Sequence, residues 1–378
     1  MHHPLSITGI THDVRNAFRA VRRDLSFFVF AALIIGIGVG ASTSVFSVMS
    51  PLMLAPLPFD NPEQLAWVAN DRPGQGLSSV THRSGNLRDF RELSQSFDGL
   101  TGYNAFFDQA TYSLVGDGSP EQLMGAEVAH DFLDVLGVKP LYGRNFTAEE
   151  GTWGGPEAVV LSHGFWIRRF GGDPGVVGSA ISLNETPTEI VGILPPSFDF
   201  SSIFTPAVEV DFLRIFAIGD ETDRFGNSLS LIGRLRPGVT IQVAQDELDA
   251  IVLGLQEADP ERWGLGAAVS GLQAHIAGPF RGALLLLAAA AATVMLIVCV
   301  NMSNMLLARS PRRTREIAVR RTLGATRGRL VRQLIIESLF LSMSGAVVGL
   351  GIAFATTRFV SGTTGISIPM LRDVAIDG

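Results

Sequence analysis

The sequence predicts a multi-domain membrane protein, in which three transmembrane α-helices carry an α+β domain held outside the cytoplasm. Three observations support this. Apolar runs at residues 27–49, 282–307 and 334–359 are each long enough to cross a bilayer, which takes roughly 20 helical residues. Nine arginines and a single acid crowd residues 308–333, between the second and third runs. Residues 51–279 hold 13 basic and 30 acidic residues, a net −17 that the overall −7 conceals.

Within the N-terminal segment 1–26, residues 12–25 place Val14, Phe18, Val21 and Leu25 on one helical face, with arginines on the others. That pattern suits an amphipathic helix lying along the inner leaflet. Arg15, Arg19, Arg22 and Arg23 precede the first span, 27–50, and basic flanks stay in the cytoplasm. The run exceeds the usual signal-peptide core of about 7–15 residues, and no clean small-residue cleavage site closely follows it. It reads as a retained anchor. The chain then passes out, returns through 282–307, and leaves again through 334–360. The arginine loop 308–333 falls inside on this path, in agreement with the same charge rule.

The outer domain, 51–281, divides into two lobes. Residues 60–108 and 226–276 each read as strand, helix, strand, the pattern of a split βαβ, ferredoxin-like lobe. In the first unit a strand at 64–68 precedes a helix with Ser84 as its N-cap and Leu87, Phe90 and Leu93 on one face. A strand at 100–106 follows. In the second, Leu229–Leu235 is strand-like, Thr240 caps a helix burying Val243, Leu248, Ile251 and Leu255, and 267–272 closes the unit. The insertion, 109–225, is mostly strand, with one short helix at 164–170 and a hairpin turn at Asn184-Glu185-Thr186-Pro187. The lone cysteine, Cys299, lies in the second span, so no disulfide supports the outer domain.

The residues suited to chemistry are few. A P-loop needs a lysine after a glycine-rich turn, and the only lysine, Lys139, follows Val138. No H-E-x-x-H or G-x-S-x-G occurs, and the seven histidines show no metal spacing. No catalytic, cofactor or metal residue is assigned, so these residues hold no ATPase, and no enzyme activity is expected of them. Ser162 and His163 read as a cap and a surface neighbour. Acidity on the outer side argues against nucleic acid as a partner.

Gly36 and Gly40 lie four apart in the first span, as do Gly345 and Gly349 in the third. Small residues at that spacing let helices approach closely, within one chain or between two copies. In the inner loop, 314–323 suits a short amphipathic helix with Ile317 and Leu323 on one side, flanked by Arg320 and Arg321. Gly324 would end it and Thr326 would cap the next helix. Composition alone assigns these arginines to anionic lipid head groups, at about 1 kcal/mol each.

Four segments together resemble a known family over nearly the whole chain: PLMLAPLPFDNPEQL, RRFGGDPGVVGSAISLNETPTEIVGILPPSF, GRLRPGVTIQVAQDELDAI, and NMSNMLLARSPRRTREIAVRRTLGATRGRLVRQLIIESL. The outer domain resembles the periplasmic core of MacB-like ABC-transporter permeases, and the rest resembles an FtsX-type permease unit. The resemblance implies that Glu316, Ile317, Arg320, Arg321, Leu323, Gly324, Ala325 and Arg327 form an elbow that docks on a separate ABC ATPase. It implies a second permease unit, as a homodimer or a duplicated half, in the inner membrane, and leaves open a partner on the outer side. A family unit has four spans, so the resemblance also implies that 361–378 is the outer tail of an incomplete unit from a longer, duplicated permease. The rival reading is a membrane-anchored sensor or scaffold whose outer domain binds a ligand or partner.

Overall fold

The computed structural model describes residues 25–53, 56–70, 80–106, 111–115, 121–205, 208–223, 225–258, 266–322 and 327–362. Most of the expected N-terminal amphipathic helix and nearly all of the C-terminal tail lie outside these residues. Contacts divide the chain into two compact units, one built mainly from 1–54 and 280–366, the other from 55–279.

The first unit contains three apolar helices: α1 (Leu25–Met53), most of α8 (Leu272–Thr322) and α9 (Arg327–Gly362). Their stretches Leu25–Ser47, Leu272–Ser310 and Ile335–Thr356 are long and apolar enough to span a membrane. Helix α8 takes in the short helix expected at 314–323, up to Thr322, but joins it to the second span without the expected interruption. It runs unbroken for 51 residues, through Pro311 and on to Thr322. Beyond Pro311 the sequence is rich in arginine, a good helix former, and contains no glycine before 324. A carbonyl freed by one proline in a solvated stretch can bond water, so the helix continues.

The core lobe of the second unit is a four-stranded antiparallel section of one eleven-stranded sheet, joined to the insertion's strands by the pairing of Tyr103 with Val128. Its strands are β1 (Leu65–Ala69), β2 (Phe97–Asn104), β10 (Leu229–Leu235) and β11 (Ala268–Gly271), in the order β11-β1-β10-β2. Helices α2 (Ser84–Leu93) and α7 (Ile241–Ala258) connect β1 to β2 and β10 to β11. This is the split βαβ arrangement. Strand β1 shows why its residues are apolar throughout: Ala66 and Val68 join one core with Leu87, Phe90 and Leu248 of the helices. Leu65 and Trp67 join a second core on the opposite face, with Tyr103, Phe132 and Phe200. A strand buried on both faces gains stability from every side chain, at roughly 25 cal/mol per Å² of apolar surface.

The inserted lobe closes on itself. Strands β3 (Thr111–Val115), β4 (Glu121–Val128), β6 (Ala158–Leu161), β7 (Ala180–Leu183), β8 (Thr186–Ile193) and β9 (Phe212–Ile215) form the ring β4-β3-β7-β8-β6-β9, and β9 pairs back to β4. The β4–β9 and β6–β8 pairings are parallel, the others antiparallel. Leu123, Val159, Phe165, Ile190 and Phe212 share its core. A short strand, β5 (Tyr142–Gly143), adds to β8.

Several local expectations are corrected. The β7–β8 turn is only Asn184-Glu185, both at positive φ (50° and 67°), while Thr186 and Pro187 already belong to β8. That geometry suits a tight two-residue hairpin, and Asn184 Oδ1 accepts the Ser113 N–H at 2.8 Å. Ser84 does not cap α2: it is the first helical residue, and Asp223 Oδ1 accepts the Gly85 N–H at 2.9 Å instead. Leu93 and Val243 are about half exposed, at 48% and 53%, while Ala244 and Val252 take the buried positions of α7. The insertion holds more than one helix: besides α4 (His163–Phe170) it has α3 (Phe132–Leu136), α5 (Phe200–Phe204) and α6 (Asp220–Asp223). Ser162 does cap α4, accepting the Phe165 N–H at 3.2 Å.

Candidate functional site: the helix elbow and the packed spans

The elbow is formed by two helix ends. Glu316, Ile317, Arg320 and Arg321 lie in the last turns of α8, and Arg327 opens α9. Leu323, Gly324 and Ala325 fall outside the described residues. Four residues, 323–326, separate Thr322 from Arg327 in the sequence. Threonines bond back into the helix here: Thr314 Oγ1 donates to the Ser310 carbonyl at 2.9 Å and Thr322 Oγ1 to that of Val319 at 2.7 Å.

A contact that the sequence reading missed ties this end of α8 to α1. The Arg309 guanidinium carbon lies 3.5 Å from the centroid of the Phe27 ring. A cation over an aromatic face is attracted by the ring quadrupole, by about 0.5–2 kcal/mol depending on desolvation. The two residues are 282 positions apart, so no local spacing could signal the pair.

Helices α1 and α9 meet along the four glycines. A Cβ placed on Gly36 would lie 2.6 Å from Val348 Cγ1, and one on Gly40 would lie 2.9 Å from Ile352 Cβ and 3.0 Å from the Gly349 carbonyl. From the other side, a Cβ on Gly349 would approach Val39 at 2.8 Å and the Gly36 carbonyl at 3.1 Å, and one on Gly345 would strike Ile35. Each glycine receives a β-branched side chain from the opposing helix. Gly38, which the four-residue spacing passes over, faces α8 instead: its Cβ would lie 2.8 Å from Val298 Cγ2. The glycines of GIGVG therefore serve two neighbours from two faces of one helix.

Electrostatics in the α+β domain are dominated by internal pairing. Arg144 makes a bidentate contact with the buried Glu150, at 3.0 and 2.7 Å. Arg168 reaches Asp211 at 2.7 Å, and Arg214 reaches Glu157 at 2.8 Å. Burial pushes the Tyr103 phenol up to about 12. Among the described residues no cluster of three or more His, Cys, Asp or Glu could hold a metal ion.

Comparison with known proteins agrees with this architecture. The family model of the MacB-like periplasmic core domain matches residues 28–251, and that of the FtsX-like permease C-terminal domain matches 288–375. The ABC transporter permease YknZ of Bacillus subtilis is 25% identical over 249 residues, 62% of this chain and 57% of that protein. The macrolide export ATP-binding/permease protein MacB of Vibrio parahaemolyticus is 24% identical over 314 residues, 79% of this chain and 45% of its own length. MacB of Psychrobacter cryohalolentis is 23% identical over 248 residues, 65% and 36%. The chain thus spans about half or less of the curated relatives it matches. Among solved structures, the periplasmic region of MacB from Actinobacillus actinomycetemcomitans superposes with a TM-score of 0.41 at 12% identity, covering 58% of this chain and 94% of that one. The extracellular domain of YknZ gives 0.38 at 11%, with 55% and 99% covered. With more than half of its residues in the first match and much of the remainder in the second, the chain belongs to the MacB/FtsX family of ABC transporter permeases, and carries a MacB-like periplasmic core domain outside the cytoplasm.

Proposed function

We propose that this chain is the membrane permease unit that converts ATP hydrolysis by a separate ATPase into movement of its extracytoplasmic domain. The observation that carries this reading is α8. Its first residue, Leu272, directly follows Gly271 of β11, and the helix continues without a break to the arginine elbow. In this reading a push received at Glu316, Ile317, Arg320, Arg321 and Arg327 is passed on through α8, which adjoins β11 in the chain.

In this reading the N-terminus and elbow lie in the cytoplasm, as their arginines favour. The elbow is the docking surface, and Leu323, Gly324 and Ala325 belong to it in sequence. The arginines hold anionic lipid as well. Gly36, Gly40, Gly345 and Gly349 make the α1–α9 pair a close-packed body against which α8 works. A second permease unit, from another copy or from a duplicated half, completes the assembly. Movement of the outer domain would serve export, the activity named for the MacB relatives, or transmembrane signalling.

Co-purification tests the proposal. The parent protein is expected to bring down an ABC ATPase, and the variant Arg320→Glu, Arg321→Glu, Arg327→Glu is expected to lose it while retaining its fold. If no ATPase associates with the parent, the chain is instead a membrane-anchored sensor or scaffold.

A further inference from the structure

The spans of the first unit differ in what they turn outward. Helix α1 exposes Phe30, Leu33 and Ile37, and α9 exposes Met343, Val347 and Phe354. Such flanks suit lipid tails, which are as apolar as these side chains. Hydroxyls on the spans are satisfied within their own helix. On α9, Ser344 Oγ donates to the Phe340 carbonyl at 2.8 Å and Thr356 Oγ1 to that of Ile352 at 2.9 Å. On α8, Thr293 Oγ1 donates to the Ala289 carbonyl and Ser303 Oγ to that of Cys299, both at 2.8 Å. A short hydroxyl side chain can always bond back in this way.

Helix α8 also turns two carboxamides outward, those of Asn301 and Asn304. Both lie inside the apolar stretch Leu272–Ser310, and Asn301 is about 12 Å along the helix from Arg309. A carboxamide carries two N–H donors and an acceptor oxygen, and lipid tails satisfy none of them. Among the described residues neither carboxamide has a hydrogen-bond partner. The two share one flank of the helix with Ile297 and Ala308, at spacings of four, three and four residues, and all four are exposed. The flank that meets α1 is a different one, with Val298 against Gly38 and Arg309 over Phe27.

We propose that this flank of α8 docks on the same flank of a second copy of the chain, around a two-fold axis, with Asn301 and Asn304 exchanging side-chain hydrogen bonds across it. A two-fold contact brings residues near the axis onto their own copies, so it needs groups that pair with themselves. A carboxamide both donates and accepts, and therefore pairs with an identical one, whereas an arginine or a glutamate would repel its copy. The small Ala308 lets the two helices come close beside the asparagines. This rests on the reading of a second permease unit and deepens it by naming the surface and the partner. Its readout is self-association without an ATPase, so loss of the coupling reading and loss of this contact are separate results.

Disulfide cross-linking of the full chain in membranes tests the contact. Ile297→Cys, in a Cys299→Ser background, is expected to give a linked dimer on mild oxidation. The native Cys299 is exposed but lies two residues from both Ile297 and Asn301, hence on the far side of α8, and is expected to give none. Added to Ile297→Cys, the pair Asn301→Leu and Asn304→Leu should weaken self-association by about tenfold, the scale of interhelical hydrogen bonds in a membrane. Asn301→Gln with Asn304→Gln should keep most of it. Leucine favours both the helix and the lipid, so the loss cannot come from an unfolded span. If Ile297→Cys stays unlinked, lipid or another helix covers this flank and the proposal is overturned. It is equally overturned if Cys299 links as readily, or if the leucine variant links as well as its parent.

Discussion

Gln245 closes the open edge of the sheet by pairing its side chain with the backbone of Val269. Its Oε1 accepts the Val269 N–H at 2.6 Å, and its Nε2 donates to the Ala267 carbonyl at 2.7 Å. Strand β11 is the last in its sheet, and an edge strand leaves N–H and C=O groups ready to pair with another chain. One helical side chain here satisfies both groups as a neighbouring strand would. Gln245→Ala is expected to cost about 1–3 kcal/mol, because both backbone groups lose their partner. Chemical denaturation should show that loss, and light scattering should show greater self-association than in the parent.

Two residues further along α7, Glu247 holds the turn after α2. Its carboxylate accepts from Ser94 Oγ at 2.7 Å, the Gln95 N–H at 2.7 Å and the Ser96 N–H at 2.9 Å. Burial alone would raise the carboxyl pKa, but these donors outweigh it and hold the group below the usual range. The stabilisation is therefore present above the ordinary glutamate value and is lost as pH falls through the folded one. Glu247→Ala should destabilise the domain by about 2–3 kcal/mol at neutral pH, since hydrogen bonds to a charged group are the stronger kind. The gap to the parent should narrow in acid, which a denaturation series across pH will read.

The split βαβ lobe was legible because its signals are local. Leu229–Leu235 is bounded by a turn at Arg236-Pro237-Gly238, and Thr240 Oγ1 accepts the Val243 N–H at 3.3 Å as the sequence suggests. What escaped depends on residues far apart in the chain. The cap of α2 comes from Asp223, 138 positions away, so the nearby Ser84 was credited with it. The closed ring of the insertion depends on the parallel pairing of Gly125–Val128 with Phe212–Ile215, which leaves no mark in short-range alternation. The inner loop was legible as charge and its residues 314–322 as helix, but not the continuity of that helix with the second span through Pro311. The glycine pairs were visible as spacing, but only the opposing residues Val348 and Ile352 identify the helix they meet.

His82 makes the domain sensitive to mild acid. It is fully buried beside Phe90, and burial pushes its pKa down to about 4, with the backbone of Ala69 and Val68 pulling weakly upward. In the unfolded chain the imidazole titrates near 6.5. The unfolded state thus takes up the proton first as pH falls, and stability drains between about 6.5 and 4. A shift of that size corresponds to on the order of 3 kcal/mol. The parent should lose stability between pH 7.5 and 4.5 by more than His82→Gln does. Comparing the two by denaturation cancels the carboxylates that both share, and equal slopes would remove His82 as the cause.

The α1–α9 contact makes a sharper prediction, because glycines in the same helices differ in what surrounds them. At Gly40 a Cβ would meet Ile352 at 2.9 Å and the backbone of Gly349 at 3.0 Å, and backbone cannot rotate away. At Gly351, in α9, nothing lies within 4 Å. Gly40→Val should force the helices apart, at about 1–3 kcal/mol for overpacking. Gly351→Ala should be neutral or stabilising, since alanine favours a helix over glycine by roughly 0.8–1.0 kcal/mol. Thermal unfolding of the chain in detergent will separate the two, with a lowered midpoint for the first and an unchanged or raised one for the second. If both midpoints fall alike, close approach is not what the glycine at 40 provides, and the spacing of the four glycines loses its physical meaning.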